Sequence, residues 1–95
     1  MTELRVETLS KNDFVFKWNE ETESYQFFLS LQEGEKEWYI EIYHEEGSKA
    51  FFLDIEYYLD DARLGILTDF FIETVEDLQK AFDLFGIDKK IKVQK

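Results

Sequence analysis

The side chains that could do chemistry in this sequence are few. There is one imidazole, His44, followed by Glu45 and Glu46, and the adjacent carboxylates Asp60-Asp61 lie near Asp54 and Glu56. Cysteine is absent, and arginine occurs only at Arg5 and Arg63. No catalytic triad can be assembled from this inventory, and thiolate zinc sites and disulfides are excluded outright. His44 could ligate a metal only with Glu45 or Glu46, and one imidazole with two turn carboxylates makes a poor cage. A hydrogen-bonded structural histidine beside Tyr25 is the expectation. Asp60, Asp61, Asp54 and Glu56 could hold a divalent cation or work as a paired acid and base. Adjacent residues on a strand face opposite ways, however, and no EF-hand spacing surrounds them, so a solvated turn is expected. Gly34, Gly47, Gly65 and Gly86 stand singly at turn or cap positions, which leaves no phosphate-cradling loop. The chain reads as a non-enzyme with no metal and no cofactor.

A second constellation says more. Strand parity places Glu37, Tyr39, Glu41 and Tyr43 on one face of one strand, and Phe52, Asp54, Glu56 and Tyr58 on the same face of the next, with Asp60 and Asp61 at its end. A two-residue hairpin at Glu46-Gly47 would set Glu41 against Phe52 and Glu37 against Glu56. A four-residue loop would set Glu41 against Asp54. Either register puts two like charges side by side, at some cost to stability. Two readings of this face stand open. It is a solvated or helix-covered face, or it is a binding surface whose rings supply contact area and whose acids steer a basic partner.

The charge balance bears on the choice. Lys and Arg number 11 against 22 Asp and Glu, a net charge of -11. Residues 11–62 hold 14 acidic and 4 basic side chains, whereas Lys89, Lys90, Lys92 and Lys95 close the chain without an acid. An acidic middle repels nucleic-acid phosphates and anionic membranes, so direct contact with either is not expected, and a basic protein partner is. The 17 aromatic residues, ten Phe, five Tyr and two Trp, exclude a disordered acidic tail.

The elements that would position these groups follow from periodicity. The sequence predicts an α+β fold in one domain over residues 1–95: a meandering antiparallel sheet of about five or six strands packed with one C-terminal helix. Residues 4–9 read as a weak first strand and 13–18 as a better one, with Phe14, Phe16 and Trp18 on one side. Residues 24–32 alternate cleanly, placing Tyr25, Phe27, Leu29 and Leu31 inward, and residues 37–44 place Trp38, Ile40, Ile42 and His44 inward. A two-residue turn at Gly34-Glu35 would pair Leu31 with Trp38, Leu29 with Ile40 and Phe27 with Ile42. Residues 50–58 turn Phe51, Leu53, Ile55 and Tyr57 to the core. Residues 59–66 are open between a loop and one helical turn, and 67–72 suit a strand. Thr74 and Asp77 form a capping box ahead of an apolar stripe, Val75, Leu78, Ala81, Phe82 and Phe85, and Gly86 and Ile87 suit a Schellman cap. Residues 89–94 read as a last edge strand protected by its lysines.

The expected function is an acidic protein-binding module, most concretely an inhibitor or nucleic-acid mimic. Carboxylates two apart on a strand lie about 6.8 Å apart, and each DNA strand carries a phosphate every 3.4 Å or so of axis. Glu35, Glu37, Glu41, Asp54, Glu56, Asp60 and Asp61 could imitate such a row. In charge and size alone the chain resembles the small acidic anti-defence proteins of phages and mobile elements; no motif supports membership. The alternative is an immunity protein or dedicated chaperone for a basic toxin or effector. A third reading is a small-molecule binder or small enzyme with a pocket near Tyr25 and His44. The outward rings could also form a homodimer face. The charged N-terminus and the lack of a long apolar run suggest a cytoplasmic protein.

Overall fold

The computed structural model describes residues 2–45 and 47–93. Its elements are α1 (Val6–Lys11), β1 (Val15–Asn19), β2 (Ser24–Glu33), β3 (Lys36–Glu45), β4 (Phe51–Leu59), β5 (Ala62–Ile72) and α2 (Val75–Leu84). The five strands form one antiparallel meander in the order β1-β2-β3-β4-β5.

Local chemistry sets each hairpin. Gly34 takes φ 63°, the left-handed value that glycine adopts without steric cost, and the two-residue turn closes between Glu33 and Lys36. Leu31 faces Trp38, Leu29 faces Ile40 and Phe27 faces Ile42, as parity predicts. Between β3 and β4 the adopted register sets Glu41 against Asp54 and Tyr43 against Phe52, the one that the four-residue loop implies. β4 turns into β5 through Asp60 and Asp61, at φ 50° and 65°, a left-handed pair that matches the twist of a tight hairpin.

The inner face holds the core. Phe27, Ile42, Leu53, Ile55 and Ile72 are fully buried, and α2 lays Leu78, Ala81 and Phe82 against them. The Trp38 indole N–H donates to the Phe85 carbonyl at 2.9 Å and ties the helix C-terminus to the sheet. The Thr74 hydroxyl accepts from the Asp77 N–H while the Asp77 carboxylate accepts from the Thr74 N–H, both at 3.1 Å. The Ile87 N–H reaches the Phe82 carbonyl at 2.9 Å across Gly86 at φ 70°, the Schellman arrangement.

Three sequence expectations are corrected. Residues 4–9 are not a strand: Val6 opens the short helix α1, Leu9 packs into the core, and only Glu3 keeps an isolated bridge to Thr74. Residues 59–66 are neither a loop nor a helical turn but the β4–β5 turn and the first half of β5. Residues 89–93 form no strand, because side-chain amides take the place of a ladder. Asn12 donates to the Lys92 carbonyl at 2.9 Å and accepts from the Lys92 N–H at 2.7 Å. Gln79 accepts from the Ile91 N–H and donates to the Lys89 carbonyl. Gln94, the end of that expected strand, lies outside the described residues.

The thinnest extent of the molecule, 19 Å, is filled by one sheet and one helical layer, each about 10 Å deep. Both helices feed the core on the inner face, so among the described residues the outer face has no second layer. That face carries the candidate residues.

Candidate partner-binding face

The outer face consists of cross-strand rows fixed by the register. One row runs Val15, Phe28, Glu41, Asp54, and β5 answers Asp54 with two residues, Thr68 and Asp69, at a bulge. The row beside it runs Lys17, Gln26, Tyr43, Phe52, Phe71. On the other side run Ser30, Tyr39, Glu56, Ile66, and then Gln32, Glu37, Tyr58, Arg63. The eight candidates from β3 and β4 thus share one surface. Asp60 and Asp61 sit beyond its end, where the Asp60 N–H donates to the Glu35 carbonyl at 3.1 Å and draws the two acidic turns together.

Rings and carboxylates on this face are bonded to each other. The Tyr39 hydroxyl donates to Glu37 and the Tyr58 hydroxyl to Glu56, each at 2.6 Å, and the Tyr43 hydroxyl donates to Asp69. Those donated bonds to carboxylates push the Tyr39 and Tyr58 phenols above their ordinary pKa. Tyr39 meets Tyr58 edge-on at 5.4 Å, and Tyr43 stacks on Phe52 at the same separation.

The centre is different. Asp54 accepts the Asp69 N–H at 2.7 Å and so props up the bulge, where Asp69 takes φ 53°. Among the described residues nothing donates to the Glu41 carboxylate. Burial first, and the facing Asp54 charge second, raise the Glu41 pKa. The ion pairs of the described residues join Arg5 to Glu3, Lys89 to Asp13 and Lys90 to Asp83, all away from this face. The Glu41–Asp54 pair also separates two open hollows. One, of about 220 Å³, is walled by Phe28, Tyr39 and Glu56, and the other, of about 320 Å³, by Gln26, Tyr43 and Glu45. A carboxylate floor beside ring walls suits a cation of side-chain size.

Five contributors were not singled out from the sequence: Phe28, Arg63, Ile66, Asp69 and Phe71. Phe28 shares its parity with Gln26 and Ser30, so the β2–β3 register would have placed it next to Glu41. The four on β5 could not be placed without the bulges. His44 faces inward, as parity predicts, stacked 4.4 Å from Phe51 and 6.2 Å from Tyr25, and its Nε2–H bonds the Ser48 carbonyl. It stands apart from the outer face. Among the described residues no cluster of three or more ligating side chains could hold a metal, and Glu46 lies outside them. No helix of the described residues is long and apolar enough to cross a membrane.

No protein-family model, no curated protein and no solved structure matches this chain.

Proposed function

We propose that this chain is a non-enzymatic acidic binding module whose outer sheet face docks on a basic surface of a partner protein. Its most concrete form is an inhibitor that occupies a groove built for nucleic acid. One observation carries the reading. Glu41 and Asp54 face each other across neighbouring strands, free of any ion pair among the described residues, at the centre of a face that neither α1 nor α2 covers. A like-charged pair held this way costs stability in the free protein. An arginine or lysine entering either flanking hollow would offset both carboxylates and lie against a ring. The acids at the turn end, Glu35, Asp60 and Asp61, extend the negative surface along the same direction and would speed encounter with a basic groove.

The test is capture on the immobilised chain from a lysate of the producing cells, eluted by a salt gradient and, separately, by double-stranded DNA. The expected captured protein binds nucleic acid, leaves at moderate salt and is displaced by DNA. Glu41→Lys, Asp54→Lys and Glu56→Lys together should remove the capture while circular dichroism stays unchanged. Capture that ignores salt, or that survives this folded triple variant, refutes the proposal.

A further inference from the structure

The sheet ends in two edges of different character. β1 has 5 residues and carries Lys17 at its centre, a charge that discourages further pairing. β5 has 11 residues, of which only Arg63 and Asp69 are charged, in a chain where 35% are. Leu64, Ile66, Phe70 and Phe71 on β5 are 61%, 55%, 40% and 52% exposed. No other described strand pairs with its free side. A long apolar edge without lysine is a template for another strand.

The strand's internal symmetry points to the occupant. A two-fold contact requires a surface complementary to itself. The ladder between β4 and β5 is irregular at two places. Leu64 is an extra residue between the Tyr57–Gly65 and Tyr58–Arg63 pairs, and Thr68 and Asp69 share Asp54 as their counterpart. Leu64 and Thr68 lie equally far on either side of Ile66. So do Arg63 and Asp69, which bear opposite charges and make no ion pair among the described residues. Two copies of β5 laid antiparallel about Ile66 would set each Arg63 against the other copy's Asp69 and Leu64 against Thr68. The two irregular points would then coincide, so the facing of side chains would stay in register despite the bulges.

We infer that β5 pairs with the β5 of a second copy, joining two five-stranded sheets into one with a continuous outer face. The charge distribution favours a second copy at this edge and disfavours it on the outer face of β3 and β4. The outward surface of β3 and β4 would bring carboxylates against carboxylates, whereas β5 is electrically neutral and its two charges complement their own images.

The chain contains no cysteine, which permits a site-specific test. In the paired state two Ile66→Cys residues would face each other across the two-fold axis, with Cβ atoms about 5 Å apart. Their effective concentration would reach the millimolar range, giving oxidation on the order of a hundredfold faster than for a site that meets its copy only by diffusion at micromolar protein. Tyr39→Cys, 46% exposed on the same face, is the reference site. Light scattering on the unsubstituted chain should give a dimer. Ile66→Cys should cross-link on the order of a hundredfold faster than Tyr39→Cys, and Leu64→Lys with Ile66→Lys should give a folded monomer. A monomer at all concentrations, equal cross-linking rates, or a dimer indifferent to the two lysines would overturn the inference.

Discussion

Replacing Glu41 by glutamine should stabilise the free protein near neutral pH, an uncommon direction for a substitution in a strand. Direct cross-strand partners hold their Cβ atoms about 5 Å apart, so the Glu41 and Asp54 charges lie about 6 Å from each other. Two unit charges at that distance repel by about 0.7 kcal/mol in water and about 2.8 kcal/mol at an effective permittivity of 20. Glu41 is only half-buried and solvent reaches it through both hollows, so screening places the relief near the lower limit, about 1 kcal/mol. The pH dependence has a definite sign. The fold raises the Glu41 pKa above its ordinary 4.5, so between those two values the folded chain binds a proton that the unfolded chain has released. Stability therefore falls as pH rises through that window, and the penalty is fully present above it. Urea denaturation at pH 7 in low salt should show Glu41→Gln about 1 kcal/mol more stable than the unsubstituted chain. The gain should shrink at 1 M salt, where the screening length is about 3 Å, and vanish at a pH below 4.5. Asp54→Asn retains an oxygen for the Asp69 N–H and should give a smaller gain, because it removes the repulsion but not the burial of the Glu41 charge. The double variant should add little, because either change removes the same repulsion. A loss of stability at pH 7, or a gain that does not shrink at all at 1 M salt, would refute the electrostatic account, because salt screens the Asp54 charge but not the burial of Glu41.

Other perturbations test how the sheet is backed. Asn12→Ala leaves both the Lys92 N–H and its carbonyl without their partner and should cost about 2–3 kcal/mol. Amide exchange should show Lys92 deprotected while Ile91, held by Gln79, keeps part of its protection. Phe82→Ala empties the point where α2 meets the sheet and should cost about 3–5 kcal/mol in urea unfolding; a loss below about 1 kcal/mol would show that α2 does not anchor the core. The Glu73 N–H, followed by the Thr74 N–H, lowers the Asp77 pKa below its ordinary 3.8. Asp77 thus adds stability above that value and loses it as pH falls through the lowered one. The stability gap between the unsubstituted chain and Asp77→Ala should accordingly narrow on acidification, as a series of urea curves would show.

Legibility along the chain tracked the regularity of the backbone. Where strands alternate without interruption, as in β2 and β3, side-chain parity and one glycine at Gly34 are enough to predict both the register and the facing of every residue. The same regularity made the Glu41–Asp54 pair one of two alternatives. β5 hid for the opposite reason. The extra residue at Leu64 and the doubled Thr68–Asp69 break the period of two, so its first half shows no strand pattern. Its turn also uses two aspartates at positive φ where a glycine would have announced it. The helix α1 is too short to show a period, and its N-cap, Arg5, makes no capping bond. The C-terminal segment alternates like a strand, yet Asn12 and Gln79, distant in sequence, take up its backbone groups.

The unread bulge bears directly on the outer face. Asp54 cannot turn fully away from Glu41 without releasing the Asp69 N–H, and the Tyr43 hydroxyl holds the Asp69 side chain from the other side. The Asp54 side of the repulsion is thus fixed from β5, which leaves only the Glu41 side chain to move away from it. Tyr39 and Tyr58 restrain Glu37 and Glu56 in the same manner, each through a phenol whose pKa its carboxylate partner raises further. A set of carboxylates held in place before binding loses less conformational entropy when a cationic surface arrives. Tyr39→Phe and Tyr58→Phe together keep every charge and nearly every contact area while releasing two of the carboxylates. If preorganisation matters to the proposed partner, this pair of substitutions should weaken binding severalfold with the salt dependence unchanged. Unchanged affinity would mean that charge alone, in any arrangement, suffices.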